Sequence, residues 1–415
     1  MASTDRRVAD QQAAAAYDPF DPAFGEDPYP AYARLRDDDP VHHHLADGRA
    51  PAFWALSRFA DVWESVRSPE VFSSAQGLTF FPDEIGRLGL APTIVMLDPP
   101  RQTELRGLIG KAFTPRRVAA LEEQVRAFVR DRVAVLAAKA GAGEPVDLHR
   151  DFSATIPTHV LGLLLGVPAA DRARLGPWVR ALTGLQSDGF SGASLAGDGV
   201  AAVAEMFDYF AAVVADRRAH PQDDLLGALV AAELDGQVLS DWDILGFCFV
   251  MVAGGSDTTA NLVSHAVALL DAAPAQRGLL LADPGLIGGA LVEFLRLEGS
   301  VQGLARTTTR DVVLHGTTIP AGEKVLMLYG AANRDDREFG PTADVLDVRR
   351  EVPRHLGFGS GPHFCIGSHL ARLQARVALE ELLAAFPHVQ VDVAAAQRHR
   401  SAFVRGWVSL PASLG

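Results

Sequence analysis

The chain reads as mainly α with small β-sheets, arranged as a single domain over residues 17–415. Three observations predict this. Helical spacing of apolar residues dominates several long stretches, short β-rich pieces occur late in the chain, and no low-complexity linker, repeat or composition break marks a boundary. At 415 residues two or three domains would also fit the length, so the missing boundary favours one. Residues Met1–Ala16 are polar and alanine-rich, predict a flexible N-terminus, and lack the apolar core of a targeting segment.

The elements follow in order. Ala75–Thr93 mixes Phe80, Phe81, Ile85, Leu88 and Leu90 with Gly and Pro, and reads either as a wall of an apolar pocket or as an ordinary surface loop. Leu121–Ala138 and Phe207–Arg217 carry helical spacing, and the Gly- and Ser-rich Gln186–Gly199 between them predicts a lid. A long helix is predicted from Ser240 to about Leu270, with Ser240 as N-cap and Asp241 and Asp243 in an acidic first turn. At its middle, Gly254-Gly255-Ser256-Asp257-Thr258-Thr259 are poor helix formers, and threonine hydroxyls can bond the carbonyl four residues back, which predicts a kink. Ile287–Leu297 and Leu370–Leu383 are helical. Val312–Ile319 and Lys324–Tyr329 read as strands joined by Pro320-Ala321-Gly322.

Composition excludes several functions. With 38 basic and 51 acidic residues the net charge is −13 and no basic tail exists, so nucleic-acid binding is not expected. Cys248 and Cys365 are the only cysteines, too few for a disulfide framework and compatible with a reducing cytoplasm. The apolar run Ile244–Gly255 is too short to span a bilayer, so no membrane association is expected. Cys248 reads as a small core residue. His42, His43 and His44 precede an Asp-Gly turn and are expected to be solvated.

The chemistry gathers near the C-terminus, in Phe358-Gly359-Ser360-Gly361-Pro362-His363-Phe364-Cys365-Ile366-Gly367. Glycines on both sides of the cysteine allow a tight turn and close approach of a flat ligand. A helix follows at once, so the sulfur is expected at a helix N-terminus, where the dipole favours a thiolate. The decamer resembles the haem-binding signature of the cytochromes P450, Phe-Gly-x-Gly-x-His-x-Cys-x-Gly, at every fixed position.

The resemblance extends from Asp18-Pro19-Phe20 to Pro387. It implies haem b sandwiched between the long central helix and the cysteine-bearing helix, with Cys365 as the iron ligand and Phe358, Gly359, Gly367 and Gly255 against the cofactor. The Gly254–Thr259 segment looks like the family's Ala/Gly-Gly-x-Asp/Glu-Thr-Thr motif. It implies that Thr258 hydrogen-bonds the oxygen species and Asp257 relays protons. Glu293-Phe294-Leu295-Arg296 resembles the Glu-x-x-Arg motif, whose third partner would be Arg350, a structural lock behind the cysteine loop. Asp98-Pro99-Pro100-Arg101-Gln102-Thr103-Glu104-Leu105-Arg106 matches another segment, making Arg106 a propionate partner, with Arg306 and His363 as the other two. Gln102 departs from the family's usual histidine, and Gln374 from its usual glutamate.

The function implied is insertion of one atom of O2 into an apolar small molecule. No flavin or nicotinamide stretch is apparent, so the resemblance implies electrons from a ferredoxin fed by a flavin reductase, docking on Lys111, Arg116, Arg117 and Arg372. Phe80, Leu185, Val252 and Val301 suggest a terpenoid, steroid, fatty-acyl or polyketide-like substrate. Two alternatives are a peroxide-driven haem enzyme, which would need no proton relay, and a haem-binding sensor or carrier without turnover.

Overall fold

The computed structural model describes residues 17–84, 93–110, 113–187, 198–222, 224–234 and 237–415. The expected N-terminal tail, Ile85, Leu88 and Leu90, Lys111, and residues 188–197 of the expected lid lie outside them. The helices that build the site are α1 (Tyr29–Asp38), α2 (Arg101–Gly110), α3 (Glu122–Gly141), α4 (Thr155–Leu164), α5 (Leu175–Ser187), α6 (Asp198–Ala219), α7 (Asp241–Gly255), α8 (Asp257–Ala272), α9 (Ile287–Leu297) and α10 (Ser368–Ala385).

The helix predicted from Ser240 to Leu270 is two. Its start is as predicted, with the Ser240 hydroxyl accepting the Asp243 N–H at 3.1 Å above an acidic first turn. Ser256 then interrupts it, serving as C-cap of α7 and N-cap of α8. Gly254 and Gly255 weaken the helix, while Thr258 and Thr259 donate to the carbonyls of Gly254 (2.7 Å) and Gly255 (3.4 Å), competing with the backbone ladder. Together α7 and α8 run about 48 Å across the fold at the usual rise per residue. The core-facing residues Ile244, Phe247, Cys248 and Val252 of α7 and Leu262, Val263 and Val267 of α8 are buried. They share one core with Phe294 of α9 and Leu379 of α10. No single described helix is long and apolar enough to cross a membrane.

The main sheet has the order β1-β2-β7-β4-β3, built from β1 (Val41–His44), β2 (Phe53–Leu56), β3 (Phe72–Ser73), β4 (Leu304–Thr308) and β7 (Lys324–Met327). Only the β2–β7 pair is parallel. Side chains alternate between its faces: Phe53, Ala55 and Leu326 join one apolar cluster, and Leu56, Val325 and Met327 another. The stretch Val312–Ile319 is not one strand but a hairpin of β5 (Val312–Leu314) and β6 (Thr317–Ile319). His315 and Gly316 turn it with φ of 49° and 80°, the positive pair that a two-residue hairpin turn requires.

Two further expectations are corrected by burial. His42 and His44 are buried in β1, His42 bonded to Asp39 at 2.6 Å and His44 stacked on Phe53, because alternate positions of a strand face the core. Phe80 is also core, stacked 4.3 Å from Phe53.

Candidate active site

Between the α7–α8 break and the cysteine loop lies a cavity of about 310 Å³. Ile94, Phe247, Met251, Gly254, Gly255, Thr258 and Leu262 form one wall, and Phe358, Gly359, Cys365 and Gly367 the opposite one. Arg106, Arg306, Tyr329 and His363 close one edge. Every predicted site residue except Asp257 lines this space. Helix geometry explains the exception: consecutive residues point about 100° apart, so with Thr258 turned inward Asp257 faces away from the cavity. It is bonded there to Asn261 at 2.9 Å. Val301 lines the cavity, whereas Phe80 and Val252 do not.

The cysteine loop is held by its own backbone. The Cys365 N–H donates to the Phe358 carbonyl at 2.9 Å, and Gly359 and Gly361 adopt φ of 66° and 67°. Gly361 has a second constraint, since a Cβ there would meet the Val66 carbonyl at 2.9 Å. Gly367 is the N-cap of α10, so Cys365 sits just ahead of the helix with the Gly367 N–H directed at its sulfur. The expected thiolate preference does not follow from the helix end alone. Burial pushes the Cys365 thiol up, outweighing the Gly367 N–H and the Arg106 guanidinium, so a stable thiolate here requires a further cation at the sulfur.

The opposite charge problem occurs along the edge. Arg306 is 3% exposed and donates to the Ala305 carbonyl, and neither Arg306 nor Arg106 has a carboxylate within ion-pair distance among the described residues. Burial, then Arg306 and Arg106, presses the His363 imidazole down to about 4 against the opposing pull of Asp98. Three groups able to carry positive charge converge here, with Asp98 acting on His363 and no carboxylate paired to either arginine among the described residues. Gln102, the departure from the family pattern, is buried and donates from Nε2 to the Pro362 carbonyl at 2.7 Å, so it braces the cysteine loop.

Behind the loop, Glu293 and Arg296 are fully buried and joined by two hydrogen bonds of 2.7 and 2.8 Å. Arg350 adds a third partner, donating to Glu293 at 3.1 Å, as the motif implies. Arg296 also donates to the carbonyls of Asn333 and Ala343, and the Asn333 side chain receives the Leu356 N–H at the start of the loop. Sequence reasoning missed Tyr329, Met251 and Asn261. Only Met251 had a local signal, lying one turn before Gly255 on the cavity face of α7.

The family model described as Cytochrome P450 matches residues 286–404. The chain is 43% identical over 390 residues to cytochrome P450 130 of Mycobacterium tuberculosis, covering 92% of this chain and 94% of that protein. It is 37% identical to the vitamin D(3) 25-hydroxylase of Pseudonocardia autotrophica, with 96% of each chain covered. A Mycobacterium marinum cytochrome P450 in complex with pseudoionone superimposes with a TM-score of 0.84 at 34% identity, covering 96% of this chain and 99% of that one. A half-buried thiol under a broken helix, and relatives this similar over nearly the full length, place the chain in the cytochrome P450 family of haem b-dependent monooxygenases.

Proposed function

We propose that this cavity is the monooxygenation site, that Cys365 holds the haem iron, and that the substrate is an apolar small molecule. The observation that carries this reading is the complementary charge shortfall. A desolvated sulfur needs a cation to become a thiolate, and the Arg106, Arg306 and His363 edge needs anions. Haem brings both, as iron and as two propionates, so the residues present fit the cofactor. Phe358, Gly359 and Gly367 would lie on the sulfur side of the ring and Gly255 on the other. When bound, haem supplies the activation of dioxygen, with thiolate donation favouring O–O cleavage.

The protein's own groups do the rest. Thr258 keeps its hydroxyl at the cavity wall by donating to the Gly254 carbonyl, and so holds a proton beside the reacting space. Asp257, on the outer face, brings protons towards it. Away from the Arg106–Arg306–Tyr329–His363 edge, the described lining carries no ionisable side chain other than Cys365. An apolar molecule can therefore bury its reacting end there without desolvating a charge. The relative named for vitamin D(3) and the structure bound to pseudoionone support a substrate of that class.

Electrons come from a separate ferredoxin and flavin reductase. Arg116 and Arg117 are exposed cations suited to an acidic donor. Arg372 is not, since it lies half-buried over the Phe358 ring at 5.3 Å. The protein works in the cytoplasm, as one catalytic unit over residues 17–415. The test is the visible spectrum of the reduced protein under carbon monoxide. The sulfur-anion band should be present in the parent and lost in Cys365→Ser, together with turnover; an unchanged band in Cys365→Ser would overturn the reading.

A further inference from the structure

The outer face of the α7–α8 break has a built-in partner for Asp257. One carboxylate oxygen accepts from Asn261 Nδ2 at 2.9 Å, and the other lies 3.8 Å from His399 Nε2. His399 directly follows the first of a C-terminal pair of strands, β8 (Gln397–Arg398) and β9 (Trp407–Ser409), and its backbone N–H donates to the Gly406 carbonyl. Asn261 is fully buried and has both ends of its amide committed, since its Oδ1 accepts the Trp407 N–H at 2.8 Å. Its NH2 must therefore face Asp257. Gly406 makes this packing possible, because a Cβ there would fall 2.3 Å from Asn261.

The other ionisable groups around the pair are already engaged. His149 shares a hydrogen bond with Ser264 at 3.1 Å and is held neutral by burial, down at about 4. Asp147 accepts from Ser409, the Arg150 N–H and the Leu410 N–H, and the Arg150 guanidinium donates to the Val408 carbonyl. Arg398 stacks on Trp407 at 3.6 Å. The His399 ring has no hydrogen bond among the described residues, and its side chain is 18% exposed. The Asp257 side chain is 13% exposed, and His399 is the imidazole within ion-pair distance of it.

We propose that His399 is a positioning residue for proton delivery, passing protons from solvent to an Asp257 carboxylate that Asn261 holds towards it. This rests on Asp257 serving the cavity as described above. In the transfer the two side chains first close their 3.8 Å gap to hydrogen-bond distance, and the Nε2–H proton of the imidazolium then moves to Asp257 Oδ1. Imidazole and carboxylic acid result, and solvent reprotonates the ring. Loading also removes the attraction between the two side chains, which frees the protonated Asp257 to turn towards Thr258.

The test uses the holoenzyme with a ferredoxin, its reductase and an apolar substrate that shifts the visible spectrum. His399→Gln should lower kcat by at least about tenfold, a modest part of what a positioned proton-transfer group supplies. The solvent deuterium isotope effect should rise while KM and the substrate-induced spectral change stay at parent values. A variant with parent kcat and parent isotope effect would overturn the proposal. A parent protein lacking the sulfur-anion band under carbon monoxide would instead overturn the haem-thiolate reading. A readout independent of turnover is the ring-nitrogen NMR spectrum of histidine-labelled holoenzyme. The His399 signal should move in Asp257→Asn, and a spectrum with no moved imidazole would also overturn the proposal.

Discussion

The two walls of the cavity are built on opposite principles. On the cysteine side a partnered network holds the loop, through its N–H groups, Gln102 to Pro362, Asn333 to Leu356, and the Glu293–Arg296–Arg350 triad, with Gln374 Oε1 and Arg372 Nε left without partners among the described residues. On the α7–α8 side helix continuity is given up, the Ser256 hydroxyl is buried without a partner, and a Cβ at Gly254 would meet nothing. The difference separates two tasks. Fixing a ligand atom calls for a network without freedom, whereas the proposed proton path calls for hydroxyls and a carboxylate gathered where the helix is broken.

The largest expected effect breaks the rigid side. Glu293→Ala leaves Arg296 buried and unpaired, which should cost about 3–5 kcal/mol in thermal or denaturant unfolding and release haem. Acid should loosen both sides, since His363 of the cysteine loop is held down at about 4 as well. His149, packed against α8, and His265, within it, are both held down at about 4 by burial, below the ordinary 6.5. The unfolded chain therefore takes up their protons first. Stability is greatest above about pH 6.5 and falls as pH drops towards 4, by up to about 1.4 kcal/mol per unit for each imidazole. Unfolding curves between pH 7 and 4.5 check this, and His149→Gln should flatten the slope.

Thr258→Ala sharpens the comparison, because it removes the hydroxyl proposed to hold a proton, at a place that contributes little to the fold. Product formed per reductant consumed should fall by about tenfold, with the melting temperature nearly unchanged. The smallest effect lies outside both walls. Reversing Arg116 and Arg117 to Glu should slow reduction by an acidic ferredoxin a few-fold at low salt, with the difference shrinking as salt rises. A stopped-flow rate that is indifferent to the change would remove this docking surface.

Much of the site was legible because its parts are local in the chain. Thr258 to Gly254 is four residues, Glu293 to Arg296 is three, and the Cys365 N–H reaches only back to Phe358. Such contacts follow from helix and turn geometry alone. Where the reading failed, the neighbour was distant. His42 and His44 looked solvated until β1 paired with β2, and Phe80 looked like a cavity wall until it stacked on Phe53. The split of Val312–Ile319 into a hairpin was in principle readable from His315-Gly316, a turn pair masked by the β-branched residues around it.

Residue order alone settled the helical character, the cysteine loop and the site of the helix break, since each depends on dihedral preference and spacing within a few positions, while the cofactor was implied by the family resemblance of the cysteine loop. Tertiary structure decided that Asp257 faces away from the cavity towards His399, that Gln102 braces Pro362, and that two arginines, Arg306 buried and Arg106 half-buried, share an edge without a paired carboxylate among the described residues. Those outcomes depend on which distant segments burial brings together, and the energy of a charge or an amide is set by such neighbours rather than by its place in the chain.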